Sequence, residues 1–199
     1  MAVKFQYNKT ALQEIQKQLR VRERALPTLK NKESALRFEV LKARERAQAL
    51  DHEIEKRLTE SDRMARLWNE FDTSLVKIRG VGIQTRKIAG VKIPVLGEID
   101  WEVRDFNLFT APAWSLEGVE ALKAISRLQI ERRFFVRKMQ ILDHVRKKTT
   151  QKVNLYEKVQ IPAFEDAILK IKRFLEDEEN LSKAAQKILK SRLLRESAP

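Results

Sequence analysis

GVGIQTRKIAGVKIPVLGEIDWEV, residues 80 to 103, contains four of the five glycines of a 199-residue chain: Gly80, Gly82, Gly90 and Gly97. Within it, Val91, Ile93 and Val95 alternate with polar residues or Pro94, and Ile99, Trp101 and Val103 alternate with acidic ones. Side chains two residues apart share one face of a strand, so this period predicts a short β-hairpin. The turn falls at Leu96 and Gly97, or at Ala89 and Gly90 if Val81 to Ile88 forms the first strand. Pro94 has no N–H to give to a ladder and belongs at an edge.

Outside this stretch the apolar period changes. From Leu12 to Ile78, apolar residues recur at alternating steps of three and four, and sixteen of the twenty slots are filled. The exceptions are Arg22, Glu33, Arg57 and Ser61. A period of 3.5 held this long describes a supercoiling seam, narrower than the apolar face of a globular helix. Pro27 removes one backbone hydrogen bond, but the seam resumes in register at Leu29, so the helix is expected to run through it. A second seam passes through Ile125, Leu128, Phe135, Met139, Leu142, Val153 and Tyr156, with Arg132, Arg146 and Thr149 in its polar slots. Beyond Pro162 it continues as Phe164, Ile168, Ile171 and Leu175, displaced by one residue, which predicts a local adjustment of the supercoil. Leu181, Ala185 and Ile188 carry the stripe toward the C-terminus. So narrow a stripe cannot stabilise a lone helix, and each seam needs a partner.

The concentration of glycines is then explained. The chain is expected to go out along one helix (residues 1–79), reverse through a hairpin and connector at the distal end (80–116), and return along a second helix (117–199). The fold class is mainly α, a long antiparallel two-helix coiled coil with a short central β-hairpin. "DFNLFTAPAWSLEG" (105–118) reads as a packed connector, in which Phe106, Phe109 and Trp114 face either the core or a partner.

Composition agrees. Charged residues make up 35% of the chain and aromatics 7%, which argues against a deep globular core and for long helices. There are no cysteines, so disulfides and thiolate metal sites are excluded. No run of eighteen apolar residues occurs, and the first residues lack a secretory apolar core, so a cytoplasmic protein is expected. The net charge of +13 invites a nucleic-acid reading, but its distribution matters more. Residues 1 to 46 carry twelve basic and five acidic side chains, residues 47 to 78 five and seven, and residues 123 to 158 eleven and three. Antiparallel pairing sets the acidic end of the first helix beside the basic start of the second.

Catalytic chemistry finds no footing. Gly80 and Gly82 form a GxG that no Gly-Lys-Ser/Thr follows, so they read as turn residues. His52 and His144 stand on helices with no ligand at i+4 and read as solvated surface. "EDEEN" (176–180) is a solvated acidic face, because acid/base work needs carboxylates that converge in a water-poor pocket. Trp68, Phe71 and Phe135 sit on the seams and read as packing residues, not as a stacking platform for bases. "RKK" (146–148), with Lys152 nearby, is the best nucleic-acid candidate. Its competing reading is a solvated helix face, or one that faces an acidic partner.

Three stretches now resemble a known family. They are "NKTALQEIQKQLRVRERALPTLKNKESALRFEV" (8–40), "GVKIPVL" (90–96) and "KVNLYEKVQIPAFEDAILKIKRFLEDEE" (152–179), and they are similar to the D subunit of the V-type and archaeal-type rotary ATPases. The most specific match comprises Val153, Asn154, Leu155, Ile161, Pro162, Glu165, Ile168 and Ile171. Asn8, Thr10, Leu12, Leu19, Leu29, Lys30, Lys32 and Leu36 match at the other end. The chain departs from the family pattern at Lys9, where Pro is usual, and at Glu33-Ser34, where Arg-Asp is common.

The resemblance implies a non-catalytic central stalk, the rotor shaft that couples ATP hydrolysis or synthesis to ion translocation, peripheral on the cytoplasmic face of the membrane. It implies that the paired helix ends enter the ring of catalytic and regulatory subunits. On that reading Leu12, Leu19, Leu29, Lys30, Lys32 and Leu36 of the first helix make the contact, with Lys187, Lys190, Arg192 and Arg195 of the second. It implies that the hairpin, through Ile93, Pro94 and Trp101, holds the small F subunit of the central stalk and the funnel-shaped d/C subunit that links to the membrane ring. No cofactor, metal, nucleic acid or direct membrane insertion is expected. The alternative is a basic coiled-coil protein that binds nucleic acid or acts as a scaffold.

Overall fold

The computed structural model describes residues 4–62, 71–106, 111–112 and 114–196. Helix α1 runs Lys9–Asp62, strands β1 Val76–Ile88 and β2 Val91–Val103 follow, and helix α2 runs Ser115–Leu155. A π-helical turn, Tyr156–Gln160, leads into helix α3, Ile161–Glu196. The fold is mainly α, a paired coil of long helices with one two-stranded antiparallel hairpin. It divides into two compact units, residues 1–31 with 149–199, and residues 32–148.

In the first unit, Asn8 caps α1: its Oδ1 accepts from the Ala11 N–H at 2.7 Å, satisfying a donor that has no partner inside the helix. Pro27 lies within α1, as the uninterrupted seam predicts. Ile15 is buried with Phe164, Ala167 and Ile171, and Leu12, Leu19, Ile168 and Leu175 pack around them. Phe164 and Ile171 are buried whereas Lys170 and Phe174 are exposed, so the displaced seam frame is the one in contact. The π-turn is the cause. It holds one residue more than an α-turn, the Ile161 N–H reaches Tyr156 O, and every later residue is carried one position round the axis. Pro162, which has no N–H, follows directly.

In the second unit every buried residue of α1 stands at a seam slot: Leu36, Ala43, Ala47, Leu50 and Ile54. Ion pairs fix the antiparallel direction, since the partner's number on α2 generally rises as the α1 number falls. Arg46 pairs with Glu131 at 3.1 Å, Glu39 with Lys138 at 3.0 Å and Glu33 with Arg146 at 3.9 Å, while Asp51 pairs with Arg132. The Asp51 pair is the expected match of an acidic α1 with a basic α2.

The hairpin corrects two expectations. First, α1 ends at Asp62 among the described residues and does not extend to Ile78. Of the last seam slots, Phe71 precedes a single 3₁₀ turn that contains Leu75, and Ile78 lies in β1. Val76 and Ile78 also satisfy a period of two, and pairing from Val76↔Val103 to Ile88↔Val91 decides for strand. Asp72 starts this segment by accepting from the Ser74 N–H at 2.8 Å. Met64, Trp68 and Phe109 lie outside the described residues. Second, the hairpin is not confined to the distal end of the helices. Its turn is Ala89-Gly90, both at positive φ (48° and 78°), the backbone of a two-residue hairpin loop. Thirteen-residue strands span about 43 Å, long enough to lie back along the helix pair. Val91 and Ile93 are accordingly buried with Leu36 and Leu142. Irregularities between Ile78 and Gly80, and between Val81 and Ile83, shift the register on the way.

Candidate functional site

The structure separates the sequence-predicted residues into enclosed, paired and exposed groups. Leu36 and Ile93, expected at opposite ends of the molecule, pack in one cluster and are almost fully buried. Lys32 belongs to the same neighbourhood, since a Cβ built on Gly90 would lie 3.8 Å from its Nζ. Leu12 and Leu19 pack on the Ile15 cluster, and Leu29 is half-buried. Lys30 donates to Glu157 Oε1 at 2.6 Å. Pro94 and Trp101 are half-buried along the face of the hairpin that meets α2.

The end of α3 differs from the rest of the helices. From Leu181 to Leu193 every side chain is exposed, including Leu181 at 72%, Ile188 at 55% and Leu189 at 61%. Lys187, Lys190 and Arg192 stand among these leucines and Ile188, while the Arg195 side chain lies outside the described residues. The last residues of α3 that pack near the start of α1 are earlier. The Tyr7 and Phe174 rings are 4.9 Å apart, and a shallow cleft runs from Tyr7, Asn8 and Lys9 past Leu175 and Glu179 and ends at Ser182. The final turns thus present an apolar stripe with basic neighbours that no described residue of the first unit covers.

Polar seam slots form connections that periodicity alone did not reveal. Arg22 reaches into the π-turn: its Nε donates to Gln160 Oε1 at 2.7 Å and its guanidinium lies 4.5 Å from the centre of the Phe164 ring. Arg146, the slot opposite Glu33, also bonds Asp143 at 2.8 Å, and Lys147 bonds the same carboxylate at 3.0 Å. Both cations hold the Asp143 carboxyl below its ordinary range, Arg146 having the greater effect. Two members of the RKK run are therefore engaged by a carboxylate of their own helix. The available signal was the opposite sign of the misfit slots Glu33 and Arg146. His52 is exposed beside Glu55 at 3.7 Å. Among the described residues no three His, Asp or Glu side chains converge as a metal site, and no helix is long and apolar enough to cross a membrane.

A family profile described as the D subunit of ATP synthase matches residues 11–191. The chain belongs to the ATP synthase D-subunit family. Its relatives include the V-type ATP synthase D subunit of Borreliella burgdorferi, 29% identical over 197 residues that cover 98% of this chain and 97% of the relative. Those of Chlamydia abortus, 29% identical over 161 residues, and Chlamydia pneumoniae, 27% identical over 157 residues, each cover 76% of this chain and about three quarters of the relative. Membership of the D-subunit family makes the chain a component of an ATP synthase complex of V type.

Proposed function

We propose that this chain is the central rotor shaft of a V/A-type ATPase, a non-catalytic subunit that couples ATP hydrolysis or synthesis in the catalytic ring to ion translocation in the membrane ring. The observation that carries the reading is the uncovered end of α3. A helix end whose described side chains include four exposed large apolar ones, Leu181, Ile188, Leu189 and Leu193, gains stability from a partner that covers them. The ring of catalytic and regulatory subunits is that partner, with Lys187, Lys190 and Arg192 at the contact. The small F subunit and the funnel-shaped d/C subunit dock at the hairpin, where Pro94 and Trp101 retain partial exposure. The chain sits peripherally on the cytoplasmic face of the membrane through these partners.

A shaft couples through differential contact. Each angular position stabilises a different conformation of the surrounding subunits, and the coupling is reciprocal because it is a free energy shared by two sites. The decisive experiment removes residues 187–199 and measures ATP hydrolysis and ion movement in the assembled complex. Hydrolysis that continues while ion movement falls supports the shaft; unchanged coupling overturns it.

A further inference from the structure

Between the hairpin and α2 lies a groove of about 430 Å³, all of it within the second compact unit. Ile88, Ile93, Pro94 and Leu96 line it from the hairpin, and Phe134 and Phe135 from α2. Both phenylalanines remain half-exposed and Val95 is 36% exposed, so the apolar lining is open to an incoming group. The lining continues past Gly97 to Ile99 and Trp101, and Arg127 borders both stretches. Five charged residues stand at the rim, the fifth being Glu98 beside Gly97 on the continuation, and they are not equivalent. Lys138 is bonded to Glu39 at 3.0 Å and Glu131 to Arg46 at 3.1 Å. Arg86 and Arg127 are exposed and form no ion pair among the described residues.

We propose that this groove receives an amphipathic helix of a partner protein, an apolar ridge flanked by carboxylates that pair with Arg86 and Arg127. The lining calls for aliphatic or aromatic side chains, and the two unpaired guanidiniums call for anions held in bidentate fashion. A nucleic-acid backbone would satisfy the guanidiniums and leave the apolar lining wet. The stretch from Pro94 to Trp101 is about 25 Å long, which about four turns of helix would cover. The proposal rests on reading the hairpin face as an assembly surface and adds the chemistry of what docks there.

The test uses the full-length chain and a fluorescent synthetic helix of about sixteen residues, with leucines at i, i+3, i+4 and i+7 and glutamates flanking them. A matched helix carries lysines in place of the glutamates. The glutamate helix binds the chain in a salt-dependent way, and Arg86→Glu or Arg127→Glu each weakens it about tenfold. The double variant prefers the lysine helix. Arg133→Glu, an exposed α2 position outside the groove, leaves binding unchanged. Both groove arginines are exposed, and unchanged melting confirms that the variants fold. No binding, equal binding of the two helices, an equal loss in Arg133→Glu, or competition by short duplex DNA at similar concentration overturns the proposal. Because binding is read on the isolated chain, its failure refutes the groove alone, whereas intact coupling without residues 187–199 refutes the shaft alone.

Discussion

At Gly118, the second half of the chain meets two aromatic rings closely enough to decide which residue can stand there. A Cβ built on it would lie 2.8 Å from the rings of both Phe71 and Trp114, whose centroids are 5.5 Å apart. In an open helix, alanine would be favoured over glycine by about 1 kcal/mol. Here the overpacking cost of about 1–3 kcal/mol prevails, because two mutually packed rings must separate. Gly118→Ala is expected to lower the melting temperature; an increase would show that the rings yield freely. Asp143 gives a pH prediction. Its folded pKa is depressed by Arg146 first and Lys147 second, so its stabilisation is fully present above the unfolded carboxylate value and is lost as pH falls through the lower folded value. Wild type should therefore exceed Asp143→Asn in stability by a constant margin above about pH 5, and the margin should shrink steadily below about pH 4. Urea midpoints measured across that range check the sign, and a margin that widens in acid would refute it.

The π-turn governs the element scale, because one inserted residue decides which side of α3 faces α1. Removing Val159, an exposed residue within it, would let α2 and α3 join as one α-helix with every later residue turned back by one position. Phe164, Ala167 and Ile171 would then leave the contact with Ile15, and Arg22 would lose Gln160. Removing a large core side chain costs about 2–5 kcal/mol, so the deletion is expected to melt the pairing of α3 with the start of α1. Hydrogen exchange resolved by segment would show it, with protection lost in 9–22 and 161–175 and retained in 36–54. Uniform protection would mean that the seam tolerates either frame. This element was legible in part: the displaced seam signalled a local adjustment near Pro162, while its form as a π-turn and its exact place depended on Arg22 and Gln160 meeting 138 residues apart. The hairpin was legible as a period of two and as a pair of possible turns. Its length was not, since Leu75 and Ile78 fit the heptad template and lie in a 3₁₀ turn and a strand respectively.

Across the whole molecule, periodicity discloses which residues face a partner helix but carries no information about a third element that packs on the pair. That is why Leu36 reads as a tip contact in the sequence and proves to be sealed by Ile93, and why Arg86 and Arg127 gain meaning only in the groove that places them together. The end of α3 is the opposite case. Its stripe was visible, and what the structure adds is that the described residues of its own unit leave it uncovered. Residues 181–193 are exposed, and exposed positions away from caps and core contribute within about 0.5 kcal/mol of zero to stability, so a chain lacking residues 181–199 should unfold in urea at nearly the wild-type midpoint while losing helical circular dichroism. The same truncation should abolish capture of the chain by co-expressed catalytic ring subunits. These two readouts separate structure from assembly: a stability lowered by more than about 1 kcal/mol would mean that the helix end packs against its own chain, and undiminished capture would mean that the ring grips the chain elsewhere.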